Sequence, residues 1–257
     1  MNKVEVNYDK YINSFKVPII KLDEFNYRYT DDIVLAEYPF TLVINGEYKK
    51  TFLCTQFKLE ELIVGYLLTK GYIKEIEDII SLEIDKNNRI TNAIIKEQQE
   101  NMYETMIELS ESNCIKYELI DSNISIYVDT IYEIMNMNLN YSRIFKDTGE
   151  SHCVAIFNND EEVVVCEDIV RSNAIDKAIG YCILNDIPLK DKLILINGRV
   201  SFEILSKIAK AKIPIIISKS TPTNLSVELA RKLNITLIGS IRGKRMNIYT
   251  HSQRIKS

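Results

Sequence analysis

A short basic segment near the end of the chain, Arg242-Gly243-Lys244-Arg245, carries residue types that are well suited to bind phosphate. Arginine side chains grip phosphate oxygens with two parallel hydrogen bonds, and a glycine lets the backbone approach an anion closely. We interpret the segment as an anion-binding loop for a phosphate or a pyrophosphate. A solvated basic turn between two strands is the alternative that the cluster alone leaves open.

A second polar motif, Glu167 to Lys177, lies around the predicted start of a helix. Asn173 is suited to cap that helix, and Asp176 is favoured in its first turn. Structural roles therefore account for much of the motif. Arg171 is the residue that these roles leave over.

Several common chemistries lack their motifs in this chain. The two histidines are His152 and His251, and no C-x-x-C pair occurs, which argues against a zinc deaminase. Neither G-x-G-x-x-G nor G-x-x-x-x-G-K-[ST] is present, which argues against dinucleotide-binding and P-loop sites. His152 could orient a ligand, although a single histidine in a turn is more often structural.

The cysteines and the apolar runs indicate the compartment. The five cysteines are an odd number without framework spacing, so free thiols are expected instead of a disulfide scaffold. No apolar run approaches the roughly 20 residues of a membrane span, and the N-terminus MNKVEVNYDKY lacks the apolar core of a signal peptide. We expect a cytoplasmic protein with no membrane association.

The net charge of −4 is divided unevenly along the chain. Residues 1–140 are acidic and residues 141–257 are basic. A basic half within an acidic protein favours a local anionic ligand over a nucleic-acid groove. An ordinary solvated surface is the alternative.

The elements that would position these residues begin with a mixed, β-rich part. Segments Phe40 to Gly46 and Tyr48 to Cys54 meet at an Asn-Gly turn and predict a hairpin. An amphipathic helix, LEELIVGYLLT, follows and ends at Gly71. ISLEID and RITNAIIKE predict a second strand pair. The polar stretch from Glu97 to Asn113 predicts a mobile loop that leads to Cys114.

The second half alternates strands and helices. Strands are predicted at CVAIF, EEVVVCEDI, KLILI, IPIIIS and ITLIG, with helices between them. This order predicts an α/β fold, a three-layer α/β/α arrangement with a largely parallel sheet. Ser201 and Thr221-Pro222 fit the starts of two of the helices. We place the division between the two parts at residues 1–125 and 126–257.

Ligands of such sheets bind beyond the carboxyl ends of the strands. The polar segments NGR, SKSTPT and SIRGKR each follow one strand, so they are predicted to lie at one rim. Arg199 and Lys219 would then support the segment Arg242 to Arg245.

These motifs resemble, in order and spacing, those of the FdhD family, the accessory proteins of formate dehydrogenases. The family shows T-G-G-x-H, D-V-G-R-H-N-A-x-D-K, S-G-R-x-S-x-E, S-x-P-T, G-F-x-R and a closing Y-T. The matching positions are Thr148 to His152, Asp168 to Lys177, Asn197 to Glu203, Ser220 to Thr223, Gly239 to Arg242, and Tyr249-Thr250. Glu37 to Gly46 and LEELIVGYLLTKGYI match family patterns in the first half.

The resemblance implies a sulfurtransferase. Such a protein receives sulfur from a cysteine desulfurase as a persulfide and passes it to the bis(molybdopterin guanine dinucleotide) molybdenum or tungsten cofactor of the formate dehydrogenase catalytic subunit. It also implies a cytidine-deaminase-like fold without an intrinsic metal, and a homodimer. Cys114 matches the carrier cysteine. The implied cofactor-binding residues are Ser240, Ile241, Arg242, Gly243, Lys244 and Arg245.

The chain departs from the family pattern at the sulfur-carrying loop. The family loop is C-x-x-C, and Tyr117 stands at the second cysteine. A persulfide needs one thiolate, so Cys114 alone could carry sulfur. Acidic neighbours disfavour that thiolate, with Lys116 opposing them.

Two other functions remain open. One is a noncatalytic cofactor-binding chaperone that has lost sulfur transfer together with the second cysteine. The other is a nucleotide-binding enzyme on a deaminase-like scaffold, which would need a general base near the rim.

Overall fold

The computed structural model describes residues 14–96, 105–110, 113–141 and 151–257, with side chains described outside 97–116 and 137–150. Strands β1 (Ser14–Asp23) and β2 (Asn26–Leu35) form an antiparallel hairpin. Among the described residues this hairpin pairs with no other strand.

A four-stranded sheet forms the centre of the first half. Its strands, in the spatial order β4-β3-β6-β5, are β3 (Tyr38–Ile44), β4 (Glu47–Cys54), β5 (Ile79–Asp85) and β6 (Ile90–Ile95). Helix α1 (Leu59–Thr69) packs its apolar face on this sheet. A short 3-10 turn (Ile76–Asp78) leads into β5.

Turn residues with positive φ fix the connections in this part. Asn45 and Gly46 have φ values of 50° and 82°, as the tight turn of a two-residue hairpin requires. Gly71, with a φ of 78°, follows the end of α1. The predicted hairpin, helix and second strand pair are confirmed.

The predicted mobile loop from Glu97 to Asn113 needs a correction. Strands β7 (Thr105–Ser110) and β8 (Asn113–Tyr117) form an antiparallel pair, in which Ile107 lies opposite Ile115. Apolar residues at alternate positions favour a strand even within a polar segment. Residues 97–104 and 111–112 lie outside the described part of the chain.

A six-stranded sheet forms the centre of the second half. Its strands, in the spatial order β11-β10-β12-β13-β14-β15, are β10 (His152–Asn158), β11 (Glu161–Asp168), β12 (Leu193–Ile196), β13 (Ile215–Ser218), β14 (Thr236–Arg242) and β15 (Arg245–Thr250). The pairs β12–β13 and β13–β14 are parallel, and the other three pairs are antiparallel. The expectation of a largely parallel sheet is therefore wrong, because the two-residue turns after Asn158 and Arg242 can join only antiparallel strands.

Helices cover both faces of this sheet. Helices α3 (Arg171–Leu184), α4 (Phe202–Lys210) and α5 (Asn224–Lys232) pack on one face. The opposite face carries α2 (Val128–Tyr141), with the short strands β9 (Ile126–Tyr127) and β16 (Ile255–Lys256) and a 3-10 turn (Ser252–Arg254) nearby. Alternate residues of each strand enter the two cores. The predicted three-layer α/β/α fold is confirmed.

Helices α1 and α3 cross at two glycines. A Cβ atom on Gly65 would lie 1.8 Å from the carbonyl oxygen of Asp176, and one on Gly180 would lie 1.9 Å from that of Glu61. The two backbones can therefore approach this closely only with glycine at both positions. Whether residues 1–125 and 126–257 are separate domains stays a prediction.

Two buried ion pairs accompany this crossing. Lys177 Nζ lies 2.6 Å from Asp168 Oδ2, and both groups bond to Thr55. Lys207 Nζ lies 2.6 Å from Asp176 Oδ2, and Thr69 Oγ1 donates to Asp176 Oδ1 at 2.7 Å. Each pair thus connects the layer that carries α1 to the six-stranded sheet and its helices.

At the N-terminal ends of the helices, two expectations are wrong and one is confirmed. Helix α3 begins at Arg171 after Val170, so Asn173 does not cap it; its side chain donates to Leu53 O at 2.9 Å. Asp176 lies beyond the first turn and pairs with Lys207. Ser201 caps α4 by accepting a hydrogen bond from Ile204 N, as expected. None of the helices in the described ranges is long and apolar enough to cross a membrane.

Candidate functional site

A cleft of about 640 Å³ opens at the rim of the six-stranded sheet. Its lining residues are Ser151, His152, Arg171, Asn197, Gly198, Arg199, Ser220 and Thr221. Four of the polar motifs therefore meet at this rim. The segments NGR and SKSTPT converge there as expected from the carboxyl ends of β12 and β13.

Three helices begin around the cleft. Arg171 is the first residue of α3, Arg199 lies three positions before α4, and Thr221 lies three positions before α5. The N-terminal end of a helix carries a partial positive charge. The backbone thus adds to the positive potential of the arginine side chains in the cleft.

Arg171 is seated directly on the backbone of the NGR segment. A Cβ atom at residue 198 would lie 2.3 Å from Arg171 Nε, 2.5 Å from Cζ and 2.6 Å from Nη2. Arg171 Nη1 donates to the carbonyl oxygen of Arg199 at 3.1 Å. Gly198 is therefore the residue that admits the guanidinium to this position.

Two polar atoms in the cleft are shielded from solvent and lack a hydrogen-bond partner in the part of the chain that the structure describes. They are Arg171 Nε and Asn197 Oδ1. The amide nitrogen of Asn197 is used, since Nδ2 donates to Ser151 O at 3.3 Å. The Arg171 side chain as a whole is partly exposed and lies at the cleft with a second arginine, so the pair of guanidinium groups is suited to bind an anion.

The charges of the side chains that line the cleft favour an anionic ligand. Burial, reinforced by the charge of Arg199, lowers the pKa of Arg171. Burial, reinforced by Arg171 and opposed by Asp168, lowers the pKa of His152 and so favours the neutral imidazole. No carboxylate is among the described residues that line the cleft. The two guanidinium groups therefore supply the formal charge of the lining side chains.

The predicted cofactor-binding stretch adjoins this cleft at one end only. Ser240 N donates to Ser220 O at 3.2 Å, and Ser240 Oγ lies 3.2 Å from Thr221 Oγ1. Ile241 is buried in the core on the α2 face. The exposed residues Arg242 to Arg245 form the turn of the β14–β15 hairpin.

Of the three rim segments expected to act together, NGR and part of SKSTPT line the cleft, whereas SIRGKR does not. Arg199 lines the cleft, whereas Lys219 and Arg242 to Arg245 are absent from its lining residues. Sequence reasoning gave no binding role to Gly198 or Ser220. For Gly198, the sequence does carry a signal of a binding role, because this glycine stands between two polar residues at the end of a buried strand.

The cysteines differ in their surroundings. Burial is the largest of several effects that raise the thiol pKa to about 12 in Cys54, Cys153, Cys166 and Cys182. Cys114 lies on β8 opposite Glu108, and its side chain lies outside the described part of the chain. The four described thiols are thus poor candidates for sulfur chemistry, since the thiolate is the reactive form.

Tyr117, at the position of the second family cysteine, has a packing role. Its ring is buried in the core on the α3–α5 face. Its hydroxyl is hydrogen-bonded to Ser206 Oγ on α4. The end of β8 is therefore fixed to α4.

Comparisons with known proteins agree with the motif series. A family model described as the FdhD/NarQ family matches residues 35–256. A Bacillus pumilus relative, called sulfur carrier protein FdhD, is 35% identical over 88% of this chain and 91% of its own length. A Staphylococcus haemolyticus relative of the same name is 34% identical over 93% and 96%.

A solved structure shows the same fold. It is a crystal structure from Desulfotalea psychrophila, described as a candidate formate dehydrogenase accessory protein. Its TM-score to this chain is 0.80 at 22% identity, covering 95% of this chain and 100% of the other. The likeness extends over both halves.

Proposed function

The chain belongs to the FdhD/NarQ family, and on that premise we propose that it is a cytoplasmic sulfur carrier required for formate dehydrogenase activity. Cys114 takes sulfur from a cysteine desulfurase as a persulfide. The sulfur then passes to the bis(molybdopterin guanine dinucleotide) molybdenum or tungsten cofactor of the formate dehydrogenase catalytic subunit. The observation that carries the proposal is the match over about nine-tenths of the chain to relatives named as sulfur carriers.

The thiol chemistry supports Cys114 as the carrier. A thiolate at Cys114 attacks the outer sulfur of the desulfurase persulfide, the sulfur–sulfur bond of the donor breaks, and the donor cysteine leaves as a thiolate. Sulfur transfer of this kind requires a group that ionises near neutral pH. The four other cysteines have pKa values of about 12, so Cys114 is the remaining candidate.

The cleft fits the phosphate part of the cofactor, which is a substrate of this protein. A guanine dinucleotide brings a pyrophosphate, and Arg171 and Arg199 supply countercharge, with no carboxylate among the described residues that line the cleft. Ser220 and Thr221 add hydroxyl groups that can donate to phosphate oxygens. The stretch from Ser240 to Arg245 begins beside these hydroxyls and extends the binding surface to an exposed basic turn.

The decisive experiment incubates the protein with a cysteine desulfurase and cysteine, followed by peptide mass spectrometry. We expect one added sulfur atom on the Cys114 peptide, sensitive to reductant, and none in the Cys114→Ala variant. Cys182→Ala is the matched control, because it removes a buried thiol and should leave the modification unchanged. A cell lacking its own carrier should regain formate dehydrogenase activity with Cys182→Ala but not with Cys114→Ala.

Tyr117 favours one second candidate, a noncatalytic cofactor-binding chaperone, because this chain lacks the family's second cysteine. That function predicts that Cys114→Ala still supports formate dehydrogenase activity. It also predicts that Arg242→Ala with Arg245→Ala abolishes the activity. Absence of sulfur on Cys114 together with this pattern would replace the sulfur-carrier proposal.

A further inference from the structure

The imidazole of His152 lines the cleft together with Arg171 and Arg199. His152 is the first residue of β10, and it lies directly opposite Asp168 in the register of β10 and β11. Because residues at alternate positions of a strand share a face, its side chain lies on the same face as that of Val154, which belongs to the core on the α3–α5 side. The strand therefore directs the ring to the side of the sheet on which α3 begins.

The described charges that act on His152 are of both signs. Burial is the largest cause that lowers its pKa, Arg171 on α3 adds to the effect, and Asp168 on β11 opposes it. The carboxylate of Asp168 is itself paired, since its Oδ2 lies 2.6 Å from Lys177 Nζ. Arg199, on the segment after β12, adds a second guanidinium group to the cleft. Without a ligand, a protonated His152 would therefore be a third cation beside two others.

A bound phosphate reverses this balance. An opposite charge within about 4–6 Å favours the charged form of a titrating group, and the phosphate also offsets the guanidinium charge that disfavours the imidazolium. Both ring nitrogens are donors in the imidazolium, so the protonated ring can give a charge-assisted hydrogen bond to a phosphate oxygen. The ordinary pKa of histidine, about 6.5, is close enough to neutral pH for such a change.

We propose that His152 takes up a proton when the cleft binds a phosphate-bearing ligand, and that the imidazolium becomes the third cation of the site. His152 is then a binding residue for the pyrophosphate, in addition to Arg171 and Arg199. The inference rests on the proposed function for the class of ligand, and it adds the proton that accompanies binding.

The proton uptake determines how the affinity depends on pH. Because His152 has the higher pKa in the bound form, the ligand binds more tightly as the pH falls below that pKa. The gain ends once the pH is low enough for His152 to be protonated in the free protein as well. The cleft therefore holds its ligand more firmly in slightly acidic solution and releases it more readily as the pH rises.

A pyrophosphate diester of two guanosines is the probe for this proposal. Both of its phosphates are diesters, so their charge does not change near neutral pH. GDP serves at a single pH, but its terminal phosphate titrates with a pKa of about 6 and would add a pH dependence of its own. Guanosine is the phosphate-free control ligand.

Isothermal titration calorimetry of the full chain, at several pH values and in buffers with different enthalpies of ionisation, measures the affinity and the protons taken up. We expect proton uptake on binding, and a Kd that decreases by as much as about tenfold per pH unit, the limit for one proton. His152→Gln keeps a polar side chain that cannot be protonated. This variant should bind the probe without proton uptake and without the pH dependence.

His251 provides the matched control, because it is the second of the two histidines in the sequence. It lies at the opposite end of the sheet, where its carbonyl oxygen accepts a hydrogen bond from Thr236, the first residue of β14. His251→Gln should leave the proton uptake unchanged. Nuclear magnetic resonance of the imidazole rings needs no variant beyond assignment: the His152 signal should move towards its protonated position when the probe is added, and the His251 signal should not respond.

The possible failures are distinguishable. Binding of the probe without proton uptake, or uptake that persists in His152→Gln, would overturn the role of His152 and leave the cleft as the pyrophosphate site. A chain that does not bind the probe at any pH would overturn this inference together with the proposed ligand of the cleft. Sulfur on Cys114 is measured independently, so neither result bears on the sulfur-carrier step.

Discussion

At the scale of single residues, the position of Arg171 depends on the absence of a side chain at residue 198. The guanidinium occupies the space that a Cβ atom would need, and it donates to the adjacent backbone carbonyl. Its Nε–H is left without an acceptor among the described residues. A side chain held in this way is ready to bind an anion, because little rotamer freedom remains to be lost.

Gly198→Ala should displace Arg171 without changing the charge of the protein. The clash involves the end of a flexible side chain, so the fold should be retained. GDP is a suitable probe, because it carries the guanine and pyrophosphate groups of the proposed ligand. Loss of the charge-assisted hydrogen bonds of Arg171, worth about 1.5–3 kcal/mol, should weaken the Kd for GDP roughly 10- to 100-fold. Isothermal titration calorimetry measures this change, with guanosine as the phosphate-free control ligand.

A double-mutant cycle identifies the cause of that loss. If Gly198→Ala acts through Arg171, then Gly198→Ala/Arg171→Ala should bind GDP no more weakly than Arg171→Ala alone. Two losses that add would show that Gly198 acts independently of Arg171. Normal GDP binding by the single glycine variant would refute the role of the cleft.

The residues of the cleft were predictable only in part. Arg199 and the serine-rich segment follow buried strands, and the rule for strand ends places such segments at one rim. The contact between Arg171 and Gly198 joins residues that are 27 positions apart in the sequence, and local patterns carry no signal for it. The prediction that Asn173 caps α3 is wrong, because its side-chain amide donates to Leu53 O on a distant strand.

At the scale of elements, close approach of α1 and α3 determines how the two layers pack. Gly65 and Gly180 each face a backbone carbonyl of the opposite helix. Backbone atoms cannot move aside as a side chain can. The helix pair therefore tolerates no Cβ atom at either position without separation of the axes.

Gly180→Ala should destabilise the protein by about 3 kcal/mol, because the added methyl group overpacks the crossing. The sign is informative, since the same change at an open helix position stabilises by about 1 kcal/mol. Urea unfolding followed by circular dichroism measures the free energy of unfolding. An unchanged or increased value would mean that the helices can separate at little cost.

Elements were predictable where the turn residues carry a clear signal. Asn45, Gly46 and Gly71 adopt positive φ values, and such residues punctuate a sequence strongly. The turns at Asn159 and Gly243 also have positive φ, 59° and 55°, and they make β11 and β15 antiparallel to their neighbours. The regular alternation of strands and helices outweighed these turn signals and led to the expectation of a parallel sheet.

At the scale of the whole molecule, the layer that carries α1 and the sheet with its helices share buried charges. Burial raises the pKa of Asp176, and the charge of Lys207 opposes that effect. The pair lies between α3 and α4, and Thr69 of α1 completes it. Removing one member of the pair leaves the other as an uncompensated charge, buried where α1 meets α3 and α4.

Lys207→Met should cost about 3–5 kcal/mol of unfolding free energy, because it leaves the Asp176 carboxylate unpaired in the core. The double variant Asp176→Leu/Lys207→Met should recover most of this loss, since apolar replacements remove both desolvation costs. In the double variant the Thr69 hydroxyl still has a hydrogen-bond acceptor, the carbonyl oxygen of Tyr66. Denaturant unfolding checks both values.

The exposed pair Lys212–Glu118 provides the control for that comparison. Its atoms also lie 2.6 Å apart, but both side chains are about half exposed. Lys212→Met should therefore cost less than about 1 kcal/mol. If Asp176→Leu/Lys207→Met is as unstable as Lys207→Met alone, the buried ion pair itself stabilises the fold.

The anchored tyrosine at the end of β8 sets a limit on distance. Tyr117 is buried and bonded to Ser206 on α4, and Cys114 precedes it by three residues. Three residues of fully extended chain span about 10 Å, so the backbone of Cys114 stays within that radius of Tyr117. In the proposed sulfur transfer, the donor and the acceptor must each reach the Cys114 thiol inside this small volume, because the strand cannot travel between them.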